Sequence, residues 1–119
     1  MNLKEKFYDH VAKRRERRKS VEIEVAGEKL IIFFTPVTVL EGEKIRTKSR
    51  IQTGNPMDIR FDMGMLNIMA VIEKAEDEEG NKIFSDSDLP TLQQLDEAIV
   101  TKISSAINPP LRLDEAKNA

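Results

Sequence analysis

The sequence contains no cysteine and no tryptophan, and a single histidine. Its aromatics are five phenylalanines and one tyrosine. Without cysteine, disulfides and thiolate metal sites are excluded. His10 stands next to a basic run on a surface-type helix, a poor place for catalysis or metal ligation. No apolar run approaches the ~20 residues that cross a bilayer, so no membrane association is expected. The start, MNLKEKFYDH, is charged and lacks the apolar centre of a signal peptide. A cytoplasmic location is the default expectation. There is no Gly-rich phosphate loop, no Gly-x-Ser-x-Gly elbow and no metal-spaced histidine cluster. The expectation is a protein without catalytic residues, cofactor or metal.

What is present suits one modest domain. A chain of 119 residues buries roughly two-thirds of its unfolded surface. Hydrophobic residues make up 39% and charged residues 34%. Net charge is −2, unevenly spread. Residues 1–19 hold eight basic side chains against Glu5, Asp9 and Glu16, a surplus of five, so the remainder carries −7. That asymmetry predicts a basic arm on an acidic body.

Leu3, Phe7 and Val11 recur at i, i+4 and i+8, which predicts a helix over 3–19 with a narrow apolar stripe. The stripe stops where KRRERRK begins. SVEIEV then alternates strictly, and Gly27 marks a turn before LIIFF. The pair reads as a β-hairpin whose second strand is covered on both faces. Thr38 and Glu41 form a capping box that opens a helix near 39. Asn55, Pro56 and Asp58 fit the start of a core helix over 56–75, which is apolar nearly all round from Met63 to Ile72. A final helical region, 86–107, is divided by Pro90 and Asp96. Its longer part aligns Ala98, Ile99, Ile103, Ala106 and Ile107 on one face. The fold class expected is α+β and mostly helical. A basic helical arm (1–19) precedes one domain (20–108) of a hairpin packed by three to four helices, and a flexible tail (109–119) follows.

The stretch DEEGNKIFSDSDL, 77–89, concentrates carboxylates around Gly80. A calcium loop with Gly80 at its sixth position would need a ligand at Ala75, which has no side-chain oxygen. A tight turn with Gly80 at positive φ, followed by a Ser85 or Asp86 helix cap, fits better. Paired carboxylates do acid/base work only when burial shifts them, and this turn is hydrophilic. The basic run, with Arg14, Arg15, Arg17 and Arg18, suits a solvated helix end, an acidic protein partner, or phosphates. Absent interleaved aromatics and an acidic body argue against nucleic acid.

Three segments together resemble the tail assembly chaperones of long-tailed bacteriophages. These are the Thr-Pro-Val-Thr helix entry after a strand (Thr35–Thr38), the acidic Gly turn with its apolar-Phe pair and Ser/Asp cap (Asp77–Asp88), and the closing amphipathic helix ending in Asn (Asp96–Asn108). The resemblance spans roughly 20–108; the basic helix in front departs from it. It implies a non-enzymatic protein that binds the tape measure protein, keeps it soluble, and meets tail tube subunits in the host cytoplasm without entering the mature virion. It also implies a longer form made by frameshifting, for which Ala116–Asn118 is compatible with a slippery heptamer. For such a client, Phe33, Phe34, Met63, Met65 and Met69 are the expected contact residues, since Met side chains repack readily; plain core packing is the competing reading of each. An exposed edge of the second strand could pair with tube subunits or with a second copy, giving a homo-oligomer. Two rival functions stand beside this one: another tail or head completion component, and a small nucleic-acid-associated regulator using the arm.

Overall fold

The computed structural model describes residues 1–109. The chain runs α1 (Leu3–Ala12), a 3₁₀ turn (Arg14–Arg17), β1 (Lys19–Val25), β2 (Glu28–Phe34), α2 (Val39–Lys48), α3 (Met63–Lys74), a second 3₁₀ turn (Asp86–Asp88), α4 (Leu89–Leu92) and α5 (Glu97–Ile107). Helices take up about half of the described chain, so the α+β, mostly helical class holds. Residues 110–119, with most of the expected flexible tail and Ala116–Asn118, lie outside the described residues.

β1 and β2 pair antiparallel in the register Val25↔Glu28 to Lys19↔Phe34. Ala26 and Gly27 connect them with φ of 53° and 78°. Positive φ at both central residues is the backbone of a type I′ turn, whose twist matches that of the strands. The alternation in β1 works as expected: Ile23 is buried and Val21 and Val25 half-buried, while Glu22 and Glu24 face water. Cross-strand partners share a face, so Ile32 and Phe34 join the core side. The other face of β2 is not covered along its length, because Ile31 is 56% exposed. Its edge is closed only near the end, where Phe33 and Glu76 exchange backbone bonds of 2.9 and 2.8 Å. Complete two-sided cover of LIIFF is therefore corrected: helices pack one face of this hairpin.

α5 lies on the hairpin, α3 on α5, and α2 on α3. The core runs through these layers: Ile23, Ile32 and Phe34 from the hairpin, Ile45 from α2, Met69 to Ile72 from α3, Val100, Ile103 and Ile107 from α5. The buried stripe of α5 is Val100, Ile103, Ser104 and Ile107. Ala98, expected inside, is exposed. The stripe lies one residue further round because α5 meets both β1 and α3, which widens its buried face.

Two helix boundaries differ from expectation. The capping box of α2 forms as read: Glu41 N–H donates to Thr38 Oγ1 at 3.1 Å, and Thr38 N–H donates to the Glu41 carboxylate at 3.0 Å. α3, however, starts at Met63, with Asp62 Oδ1 accepting from Met65 N–H at 3.1 Å. Asn55 folds a local turn instead, accepting from Met57 N–H through its side chain and from Asp58 N–H through its carbonyl. The segment between is held by a bridge of Arg50 to Phe61. Pairing with 50–51 therefore outweighs the helix-start signal at Asn55–Pro56. At the N-terminus, α1 ends at Ala12 rather than near 19, and Lys13 closes it. Asp62→Ala should lower the unfolding free energy by about 1 kcal/mol in chemical denaturation, the ordinary cost of a lost N-cap. Asn55→Ala should leave amide-exchange protection in α3 unchanged.

Candidate functional site

The acidic turn is built as its composition predicts. Asp77 Oδ1 accepts from Asn81 N–H at 2.9 Å, Gly80 N–H donates to the Asp77 carbonyl at 3.1 Å, and Gly80 has φ +88°. Ser85 and Asp88 close the next turn reciprocally, Asp88 Oδ2 accepting from Ser85 N–H at 2.8 Å. Asp77 and Asp88 thus have a structural task, and among the described residues no group of three or more His, Cys, Asp or Glu side chains could hold a metal ion.

The basic run meets this turn. Arg15 donates from both Nη atoms to the two Glu76 oxygens at 2.9 and 3.0 Å. Arg18 reaches the same carboxylate at 3.4 Å through Nε, the Glu78 carbonyl at 2.9 Å through Nη1, and the Asp77 carbonyl through Nη2. Its guanidinium also lies over Phe33, 4.2 Å from the ring centroid. Arg14 donates to Glu41 Oε2 at 2.7 Å, and Arg17 donates to the His10 carbonyl at 2.6 Å. The acidic partners of Arg14, Arg15 and Arg18 are thus Glu41 and Glu76 of the same chain, with the turn adding the Asp77 and Glu78 carbonyls. A helix continuing past Ala12 would not present these guanidinium groups to Glu41 and Glu76 together. The 3₁₀ turn does, and charge pairing overrides helix propensity. This corrects the expectation of a continuous helix over 13–19. Gly80 is favoured here by its φ of +88°, and a Cβ there would come within 2.6 Å of Arg15 Nη2, the movable end of an exposed side chain.

A second network adjoins the first. Lys74, 2% exposed, donates from Nζ to Thr35 Oγ1 at 2.8 Å and to both Glu41 oxygens at 2.8 and 3.0 Å. Burial pushes the Glu41 carboxyl up, but the bonds from Lys74 and Thr38 N–H, with the Lys74 charge and Arg14, outweigh it and hold it below its ordinary value. Burial likewise opposes ionisation of Glu76, and Arg15 and Arg18 overcome it, so that carboxyl is also lowered. Burial pushes the Lys74 ammonium down, offset only in part by Glu41.

The expected contact residues are scattered. Phe34 and Met69 are core, 3% and 6% exposed, and offer a partner no surface. Met65 is half-buried against the core. Phe33 is half-buried beneath Arg18, and Met63 alone of the five lies open. The alternation and the helical period bring these five to different faces, so they form no common surface.

A different apolar surface exists. A groove of about 440 Å³ opens between the hairpin, Ile83–Phe84, and α4–α5. Leu30, Ile31, Ile83, Phe84, Leu95 and Ile99 line it, and among the described residues Asp77 and Glu78 are its charged walls. Leu30 and Ile83 are each more than a third exposed. Its signals were present in LIIFF and in the Ile83–Phe84 pair, but nothing local in the sequence shows that they meet. A larger hollow of about 650 Å³ holds Lys44, Lys48 and Lys82. Glu73 stands 3.8 Å from Lys44 and Lys82, and Asp86 stands 2.8 Å from Lys48, so its charges are balanced.

Comparisons with protein-family models, curated proteins and solved structures give no match to this chain.

Two outcomes follow from the carboxylates. Glu41 and Glu76 have folded-state pKa values below the ordinary 4.5. The stability they contribute is fully present above that value and is lost as pH falls below 4.5 through the folded-state values. The urea midpoint should drop on acidification in that window, and less so for a Glu76→Gln chain. That substitution should also cost roughly 2 kcal/mol at neutral pH, the scale of hydrogen bonds to a charged group. It should speed tryptic cleavage within 13–18 ahead of cleavage elsewhere.

Proposed function

We propose that the chain is a phage tail assembly chaperone, non-catalytic, which holds the tape measure protein soluble and meets tail tube subunits in the host cytoplasm without entering the mature virion. The observation that carries this reading is the apolar groove between the hairpin and α4–α5. A chaperone for an apolar, helical client needs an open apolar surface on a soluble, charged body. The groove supplies the surface, and its mostly apolar lining suits the apolar stripe of a helix. The acidic body supplies the exterior. The three segments that resemble such chaperones, Thr35–Thr38, Asp77–Asp88 and Asp96–Asn108, include the turn and the helix that wall the groove.

This reading moves the client site from the Met-rich helix to Leu30, Ile83, Leu95 and Ile99. It leaves Arg14, Arg15 and Arg18 with a structural task. Their engagement by Glu41 and Glu76 weighs against a nucleic-acid-associated regulator, since a phosphate would have to displace bidentate and paired carboxylates. A structural tail or head completion component would use the same apolar surface for a permanent contact and would be found in purified particles.

The test is a tagged pull-down from cells expressing the surrounding phage genes, washed with nuclease and moderate salt. The wild-type chain should recover a long tape measure protein, tail tube subunits or both. Leu95→Asp, placed in the half-exposed wall of the groove, should reduce recovery at least tenfold while far-UV circular dichroism stays unchanged. Met63→Asp should leave it intact. Recovery of neither client by the wild-type chain, with nucleic acid retained before the nuclease step, would sink the proposal.

A further inference from the structure

α1 is a formed helix with nothing packed on it. Asn2 caps it, accepting from Glu5 N–H at 2.8 Å, yet none of its ten residues is buried. Leu3, Phe7, Tyr8 and Val11 are 64–73% exposed and lie on neighbouring turns. A helix this short is marginal in water unless its apolar face is covered. The body of the same chain presents an apolar groove that is equally uncovered.

We propose that α1 of one copy lies in the apolar groove of a second copy, and that two chains exchange their N-terminal helices in a closed dimer. The chemistry of the two surfaces matches. Lys4 and Lys6 flank the Leu3–Phe7 stripe, and Asp77 and Glu78 are the charged walls of the groove. The helix cannot serve its own groove in this arrangement. Arg14, Arg15 and Arg18 fix its base to Glu41, Glu76 and the turn carbonyls, and Arg17 ties the last helical turn through the His10 carbonyl. One residue, Lys13, remains as a joint, and it too is held, its N–H donating to the Asp9 carbonyl. No α1 residue lines the groove of its own chain. The clamp thus projects α1 outward, where another molecule can take it. Phe7 and Tyr8 are the large side chains of that helix surface, each able to bury roughly 150–250 Å² when fully covered, and both are still 64% exposed.

The inference shares the groove with the proposed function but does not need its client. In the dimer α1 is a stand-in for an apolar helical segment, so client and partner helix compete for one surface. The test uses the purified full-length chain alone, so its failure is separate from a failed pull-down. Sedimentation and light scattering across a concentration series should give twice the chain mass for the wild type. Phe7→Asp, at a side chain that supports nothing in its own fold, should give the monomer mass, and so should Leu30→Asp in the groove. An equimolar mixture of these two variants should regain a dimer, through the one intact helix and the one intact groove. Amide exchange should show α1 protected in the wild type and unprotected in Leu30→Asp, with the core of both unchanged. A wild-type chain that stays monomeric, a dimer that survives Phe7→Asp, or a mixture that stays monomeric would overturn the inference. A monomer whose helical signal rose only with anionic phospholipid vesicles would also overturn it and make α1 a membrane-surface helix.

Discussion

The arrangement of this molecule depends on one buried cation. Lys74 stands at the end of α3 with its ammonium out of water, and an unpaired charge there would cost several kcal/mol. Glu41 must therefore be brought to it. That requirement places the first turn of α2 over the end of α3 and fixes Thr35 below the pair. The same carboxylate closes the capping box of α2 through Thr38 N–H and receives Arg14. One side chain thus sets a helix start, a helix packing contact and the path of the N-terminal segment. Two residues after Lys74, Glu76 repeats the device with Arg15 and Arg18 and holds the end of β2 through its backbone.

These two networks decide where apolar surface stays open. The clamp takes up the edge of β2 at Phe33 and roofs that ring with Arg18. It leaves the other end of the hairpin, at Leu30 and Ile31, beyond the reach of α5 and α4. The groove lies in that gap. The same clamp ends α1 and directs it away from the body. An open groove and an open helix are therefore joint consequences of one set of arginine–carboxylate contacts.

The parts of the fold that were legible in the sequence are those set by nearby residues. The hairpin follows from strict alternation about Gly27, α2 from Thr38 and Glu41 three residues apart, and the acidic turn from Gly80 between carboxylates. The parts that were not legible depend on pairs far apart in the chain. Arg15 and Glu76, Lys74 and Glu41, and Arg50 and Phe61 leave no periodic trace, and each overrode a local signal or gave a polar residue an unexpected place. Charge patterning correctly separated a basic segment from an acidic body. It did not show that the two neutralise each other. Likewise the methionines were visible as a group, but the period of α3 sends Met69 inward and Met63 outward.

For function, the consequence is a change in what kind of surface can act. Read as a string, the chain offers its charges first, because KRRERRK and DEEGN are its most conspicuous runs. Once folded, Arg14, Arg15 and Arg18 are engaged by Glu41, Glu76 and the carbonyls of Asp77 and Glu78, and a guanidinium already bound bidentately is a poor recruiter of phosphates or acidic partners. Open apolar side chains remain: Leu3, Phe7 and Val11 on α1, and Leu30 and Ile83 with half-buried Leu95 around the groove. Exposed apolar surface that is contiguous and framed by charge is the usual mark of a recognition site. The polar networks of this molecule are thus the frame, and the hydrophobic residues of α1 and the groove are what that frame keeps from closing on one another.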